Sequence, residues 1–64
     1  MKLFTLRQAR LMREKTQQEM ADMLKIHRST YIALEANPGN ATVPQARAIC
    51  DFLGFSFDEI FFGA

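Results

Sequence analysis

Four times in this chain a Ser or Thr is followed three residues later by Glu or Gln: Thr5–Gln8, Thr16–Glu19, Thr42–Gln45 and Ser56–Glu59. At that spacing each side chain can satisfy an orphan backbone N–H in the first turn of a helix, a reciprocal arrangement known as a capping box. Helix starts repeated this often leave little chain for anything else. Strand signals are correspondingly sparse, with no alternating run, no Asn-Gly or Asp-Gly turn and a single Val. At the fourth box Phe55 precedes the cap and Ile60 takes the fourth helical position, the spacing of a hydrophobic staple.

Apolar periodicity fills in the segments between these starts. Met20, Ala21 and Leu24 share one face of the helix that opens at Thr16, and Tyr31 and Leu34 lie three apart in the next. Polar Arg28 and Ser29 point elsewhere. Ala46, Ile49 and Leu53 form a stripe in the segment from Thr42, and Gly54 follows as a helix stop. Asn37-Pro38-Gly39-Asn40 is the strongest breaker cluster and reads as a loop. The expectation is an all-α fold of five short helices, near 5–14, 16–24, 27–36, 43–53 and 56–62. All 64 residues form one domain, because a second core would need about 100 more.

Several function classes are excluded by what the chain lacks. A domain this small has no room for a large substrate cavity. One His, one Cys and no Gly-rich phosphate loop or paired nucleophile argue against an enzyme, a cofactor or a structural zinc site. The lone Cys50 also excludes an internal disulfide, reads as a small buried hydrophobe and fits a reducing cytoplasm. No apolar run approaches the ~20 residues of a membrane span, and the amino terminus is not a signal peptide. The four Met residues read mostly as core filling.

Charge is more informative in its distribution than in its sum. Residues 1–30 carry seven bases against three acids, a balance of +4, whereas residues 31–64 carry one base against four acids, a balance of −3. A basic front half on an acidic back half suits a domain that meets a polyanion with one face.

Only Lys25 and Ile26 separate the second and third helices, a connection so short that it forces the sharp crossing of a helix-turn-helix. The segment TQQEMADMLKIHRSTYIALE resembles the phage repressor and Cro-type (XRE) helix-turn-helix family. The resemblance rests on Thr16-Gln17, Met20-Ala21, Leu24, Ile26, the polar stretch Arg28-Ser29-Thr30, and Leu34-Glu35. Ala9-Arg10 matches the end of the family's first helix and FLGFSFDEIF its closing helix pair, so the likeness covers essentially the whole chain. It implies a compact lambda-repressor-like DNA-binding domain, bacterial or phage-encoded, with no small-molecule effector domain. Three positions depart from the family pattern. Lys25 stands where Gly is common, Lys15 stands where an apolar residue is usual and would loosen the first corner, and the loop NPGNATVP has no Lys or Arg.

The resemblance also assigns roles. It lays the third helix in the major groove of double-stranded DNA, with Arg28, Ser29, Ile32 and Ala33 facing base edges. Arg28 suits the two acceptors of guanine, and Ile32 and Ala33 suit a thymine methyl. Thr16 and Gln17, at the start of the second helix, would meet a phosphate, as would His27, Thr30 and Asn40. His27 also stands where it would cap the third helix. Arg10 and Glu35 resemble a family ion pair that bridges the first and third helices.

Five Phe residues crowd positions 52–62, more than so small a core can hold. Phe55 and Ile60 read as interior, and Phe57 and Phe62 as an exposed homodimer interface. The favoured reading is a sequence-specific regulator, acting as a repressor, that binds a palindromic operator as a dimer. The alternative is a protein-interaction module of the same fold, such as an antitoxin-like protein, which the absence of a basic loop would favour.

Overall fold

The computed structural model describes residues 3–63. Four α-helices account for most of it: α1 (Leu6–Met12), α2 (Gln17–Leu24), α3 (Arg28–Ala36) and α4 (Val43–Leu53). Each of the three capping boxes at Thr5, Thr16 and Thr42 opens one of these helices. At α2, for example, the Glu19 N–H donates to Thr16 Oγ1 at 3.0 Å and the Thr16 N–H donates to Glu19 Oε1 at 2.8 Å. Gly54 ends α4 in the left-handed region at φ 75°, where a side chain would be strained. The breaker cluster makes a single 3-10 turn, Pro38–Asn40.

The fifth helix expected at 56–62 is not there. The Ser56 N–H does donate to Glu59 Oε1 at 2.8 Å, but the Glu59 N–H closes on the Ser56 carbonyl at 3.0 Å and the chain makes only a 3-10 turn, Phe57–Glu59. It then enters a short strand, Ile60–Phe61 (β2), that pairs in parallel with Phe4–Thr5 (β1), in the register Phe4 to Ile60 and Thr5 to Phe61. No helix this short holds itself without tertiary packing, and unlike α1 this segment meets a strand partner. Pairing with β1 satisfies the backbone instead and drives Ile60 into the core. The first helix is also shorter than expected, because Glu14 takes a left-handed φ of 56° and turns the chain after Arg13.

One core joins all four helices: Leu6, Ala9, Met20, Ala21, Tyr31, Leu34, Ile49, Cys50, Leu53, Phe55 and Ile60. Leu6, Ala9 and Arg10 face it from α1 at i, i+3 and i+4. Of the Met residues, Met20 is buried, Met23 is half-buried and Met12 is half exposed, so core filling describes only part of them; Met1 lies outside the described residues.

Candidate nucleic-acid interface

The turn between α2 and α3 is built on Lys25, whose backbone takes the left-handed conformation (φ 59°, ψ 43°) that glycine would adopt without strain. The Ile26 N–H reaches back to the Ala21 carbonyl at 3.0 Å, and the Ile26 side chain packs against the core, so the turn closes as a Schellman motif does. That closure compensates the strain at Lys25 and fixes the angle at which α3 leaves. Tyr31 and Leu34 then point inward, and His27, Arg28, Ser29, Thr30, Ile32 and Ala33 are all exposed on the opposite side. Ile32, at 38% exposure, is an apolar side chain held in water on the same face as Arg28 and Ser29.

His27 occupies the N-cap position of α3, but its side chain makes no capping hydrogen bond. The expectation that it caps the helix is therefore corrected. Imidazole is longer than the Ser, Thr or Asp side chains whose oxygens reach the first-turn N–H groups.

Behind this face α1 is bolted to α3. Arg10 Nε donates to Glu35 Oε2 at 2.8 Å, a second guanidinium N–H donates to Oε1 at 3.1 Å, and a third donates to the Lys15 carbonyl at 2.8 Å. The Gln17 amide donates to Glu35 Oε1 at 3.4 Å. Both charged side chains are nearly buried, at 8% and 5% exposure. Burial alone would push the Glu35 carboxyl up, but the bonds and charge of Arg10, together with the nearby Tyr31 hydroxyl and the Gln17 amide, outweigh it and hold the carboxyl below its usual range. Burial raises the neighbouring Tyr31 hydroxyl well above its ordinary value, with the Glu35 carboxylate adding to the effect. That hydroxyl is enclosed and, among the described residues, has no hydrogen-bond partner of good geometry.

Lys15 does not loosen the corner as its departure from the family pattern suggests. Its carbonyl is one of the acceptors that hold Arg10, and its ammonium lies 5.1 Å from the centre of the Phe52 ring. Arg13 behaves similarly. Its Nε donates to the Leu53 carbonyl at 2.6 Å, its guanidinium sits 4.2 Å above the Phe55 ring, and so it caps the C-terminal end of α4. Two front-half cations therefore serve the packing of α4. No local sequence signal reveals the Arg13 contact, since its partner is 40 residues away.

Two hollows flank the exposed face of α3. One, of about 720 Å³, is lined by Arg10, Lys15, Thr16, Gln17, Gln18 and Arg28, with Leu11 and Glu14 completing it, and so brings the N-terminal end of α2 together with the first residue of α3. The other, of about 400 Å³, is lined by Thr30, Ala33, Leu34, Asn37, Asn40, Thr42 and Gln45 and carries no charged side chain. The Thr16 hydroxyl accepts from the Glu19 N–H and keeps its own proton to donate outward. The Glu19 carboxyl sits below its usual range because it accepts from the Thr16 N–H.

The helix-turn-helix family model matches residues 6–60. The chain belongs to the XRE-type helix-turn-helix family. This is a family of DNA-binding transcription regulators, typically without enzymatic activity. Neither the curated proteins nor the solved structures contain a match to the chain. Among the described residues no helix is long and apolar enough to cross a membrane, and no group of His, Cys, Asp and Glu is placed to hold a metal ion.

Away from this face lie the C-terminal aromatics. Phe55 and Ile60 are buried, and Phe57 is 55% exposed. Phe62 is half-buried against the core and stacks on Phe57 at 5.5 Å between ring centres, so it is not the fully exposed residue that its position suggested. Phe61 and Phe52 are more open to solvent than Phe62, because β2 turns Phe61 outward and Phe52 lies on the outer side of α4.

Proposed function

We propose that this protein is a sequence-specific repressor that binds a palindromic operator in double-stranded DNA as a homodimer, in a bacterial cytoplasm. What carries the reading is the α3 face: six exposed residues of mixed chemistry on a helix whose departure angle is held by a closed turn and a buried ion pair. In the major groove Arg28 would read guanine, Ser29 would donate or accept at a base edge, and Ile32 and Ala33 would pack on thymine methyls. The first hollow would take one phosphate, with Thr16 and Gln17 as donors, and His27, exposed just before α3, would meet the backbone separately. The second would take another through Thr30 and Asn40. One short helix reads only a few base pairs, so two copies related by a two-fold axis, with half-sites about 34 Å apart, supply the remaining specificity. Phe57, backed by Phe62, is the proposed contact between them.

Selection from random duplexes tests this directly: a palindromic consensus is the expected result. A salt titration on random DNA separates the second reading, a protein-interaction module. That reading is favoured by the uncharged second hollow and by the lack of any Lys or Arg between Ala36 and Arg47. Counterion release makes DNA affinity fall steeply with salt, whereas a module that binds only protein shows no DNA association.

A further inference from the structure

The outward stripe of α4 borders a groove that the α3 face leaves unused. Val43, Arg47, Cys50 and Asp51 run along the helix at i, i+4, i+7 and i+8, and Phe55 and Phe57 wall the far end of a hollow of about 470 Å³. Its floor is apolar and closed, with Cys50 at 4% and Phe55 at 8% exposure. Its two ends stand proud in water: Val43 is 66% exposed and Phe57 55%. The stack on Phe62 holds Phe57 in that position. Large apolar side chains at both ends of one groove mark a surface that something covers.

Two charges on the stripe indicate what does. Arg47 and Asp51 lie one helical turn apart and are both exposed, and among the described residues neither takes part in an ion pair. We propose that the groove is one half of a self-complementary interface in which α4 packs antiparallel on α4 of a second copy. This rests on the dimer reading above and assigns its surface. A two-fold axis level with Ile49 sets Arg47 opposite the partner's Asp51 and Asp51 opposite the partner's Arg47, because the two positions are equidistant from 49. The same operation carries Val43 toward the C-terminal end of the partner's α4, the end at which Phe57 stands exposed. A partner of single charge sign would clash with one residue of the pair, whereas a second copy matches both, as an isologous interface requires. A stable interface takes about 800 Å² from each partner. That is about a fifth of the 4265 Å² the chain exposes.

Charge reversal on the intact chain tests the assignment, with Arg47→Asp, Asp51→Arg and the double reversal compared by sedimentation equilibrium at tens of micromolar. Both residues are exposed, so helical content by circular dichroism stays at the wild-type level. Each single reversal places like charges opposite each other and weakens the dimer about tenfold or more. The double reversal restores opposite charges and returns affinity to within about threefold of wild type. Single reversals that leave the dimer intact overturn the α4 surface while the dimer itself survives. Single reversals that weaken it, followed by a double reversal that fails to rescue, overturn the Arg47–Asp51 pairing. A wild-type chain that sediments as a monomer throughout removes the dimer reading and this interface together.

Discussion

The corner where α1, α2 and α3 meet and the segment after Gly54 begin with the same local device and end in different structures. At Thr16 the capping box opens an eight-residue helix. At Ser56 the Glu59 carboxylate takes the same N–H, yet only a 3-10 turn follows before β2 begins. What differs is what the next residues meet. Met20 and Ala21 fall on the core only if the helix continues, whereas Ile60 reaches it by pairing beside Phe4. A capping box lowers the cost of starting a helix, and tertiary contacts decide whether it propagates. The two regions are also held by different forces. The corner is a knot of directional bonds among Arg10, Lys15, Gln17 and Glu35. The C-terminal segment is held by its short pairing with β1 and by aromatic packing, Phe4 on Phe55 at 5.7 Å and Phe57 on Phe62 at 5.5 Å. Directional bonds fix the angle between α1 and α3, whereas stacked rings supply apolar surface.

The largest expected effect breaks the corner. Arg10→Ala leaves Glu35 buried without its partner and should cost about 3–5 kcal/mol. The whole stability of a chain this size is only about 3–10 kcal/mol. Denaturant unfolding measures the loss, and one below about 1 kcal/mol would show that the corner is not held by this pair. Next is Arg28→Ala, expected to cost about 1–3 kcal/mol of binding at one operator position and relax preference there, with the melting temperature unchanged. Equal weakening on every sequence would make Arg28 a phosphate contact instead.

A smaller effect sharpens the contrast between the two caps. Thr16→Ala should cost about 1 kcal/mol, because a whole helix starts there. Ser56→Ala should cost less than half of that, because one turn depends on it; equal losses would erase the distinction. The most gradual effect is in acid. The Glu35 carboxyl is held below its unfolded value, so its contribution is complete above the ordinary Glu pKa of about 4.3 and disappears as pH falls through the lower folded value. Wild type should therefore lose more stability than Glu35→Gln when both are titrated from pH 6 down to about 2 by thermal melts.

Much of the fold was legible in the residues because the relevant signals are local. Thr5, Thr16 and Thr42 each cap a helix through a partner three residues away, and Gly54 stops α4 by its own backbone freedom. The inward positions of Met20, Tyr31, Leu34, Ile49 and Leu53 follow from periodicity alone. The candidate site was legible to the same depth: the outward side of α3 is whatever its inward residues leave over. Other features depended on distant partners. Arg13 is a generic surface cation until the Leu53 carbonyl is brought to it, and Lys15 disturbs a family pattern until the Phe52 ring is brought to its ammonium.

By itself, then, the sequence determined the four helices, the turn that joins α2 to α3 and the residues α3 turns outward, because each rests on bonds or spacings within about five residues. Only the tertiary structure decided that 60–61 becomes a strand, that Phe62 backs Phe57 instead of standing free, and that Arg13 caps α4. The strand pairing and the Arg13 cap join residues 56 and 40 positions apart, and no local preference records which distant partner will lower the free energy of the whole.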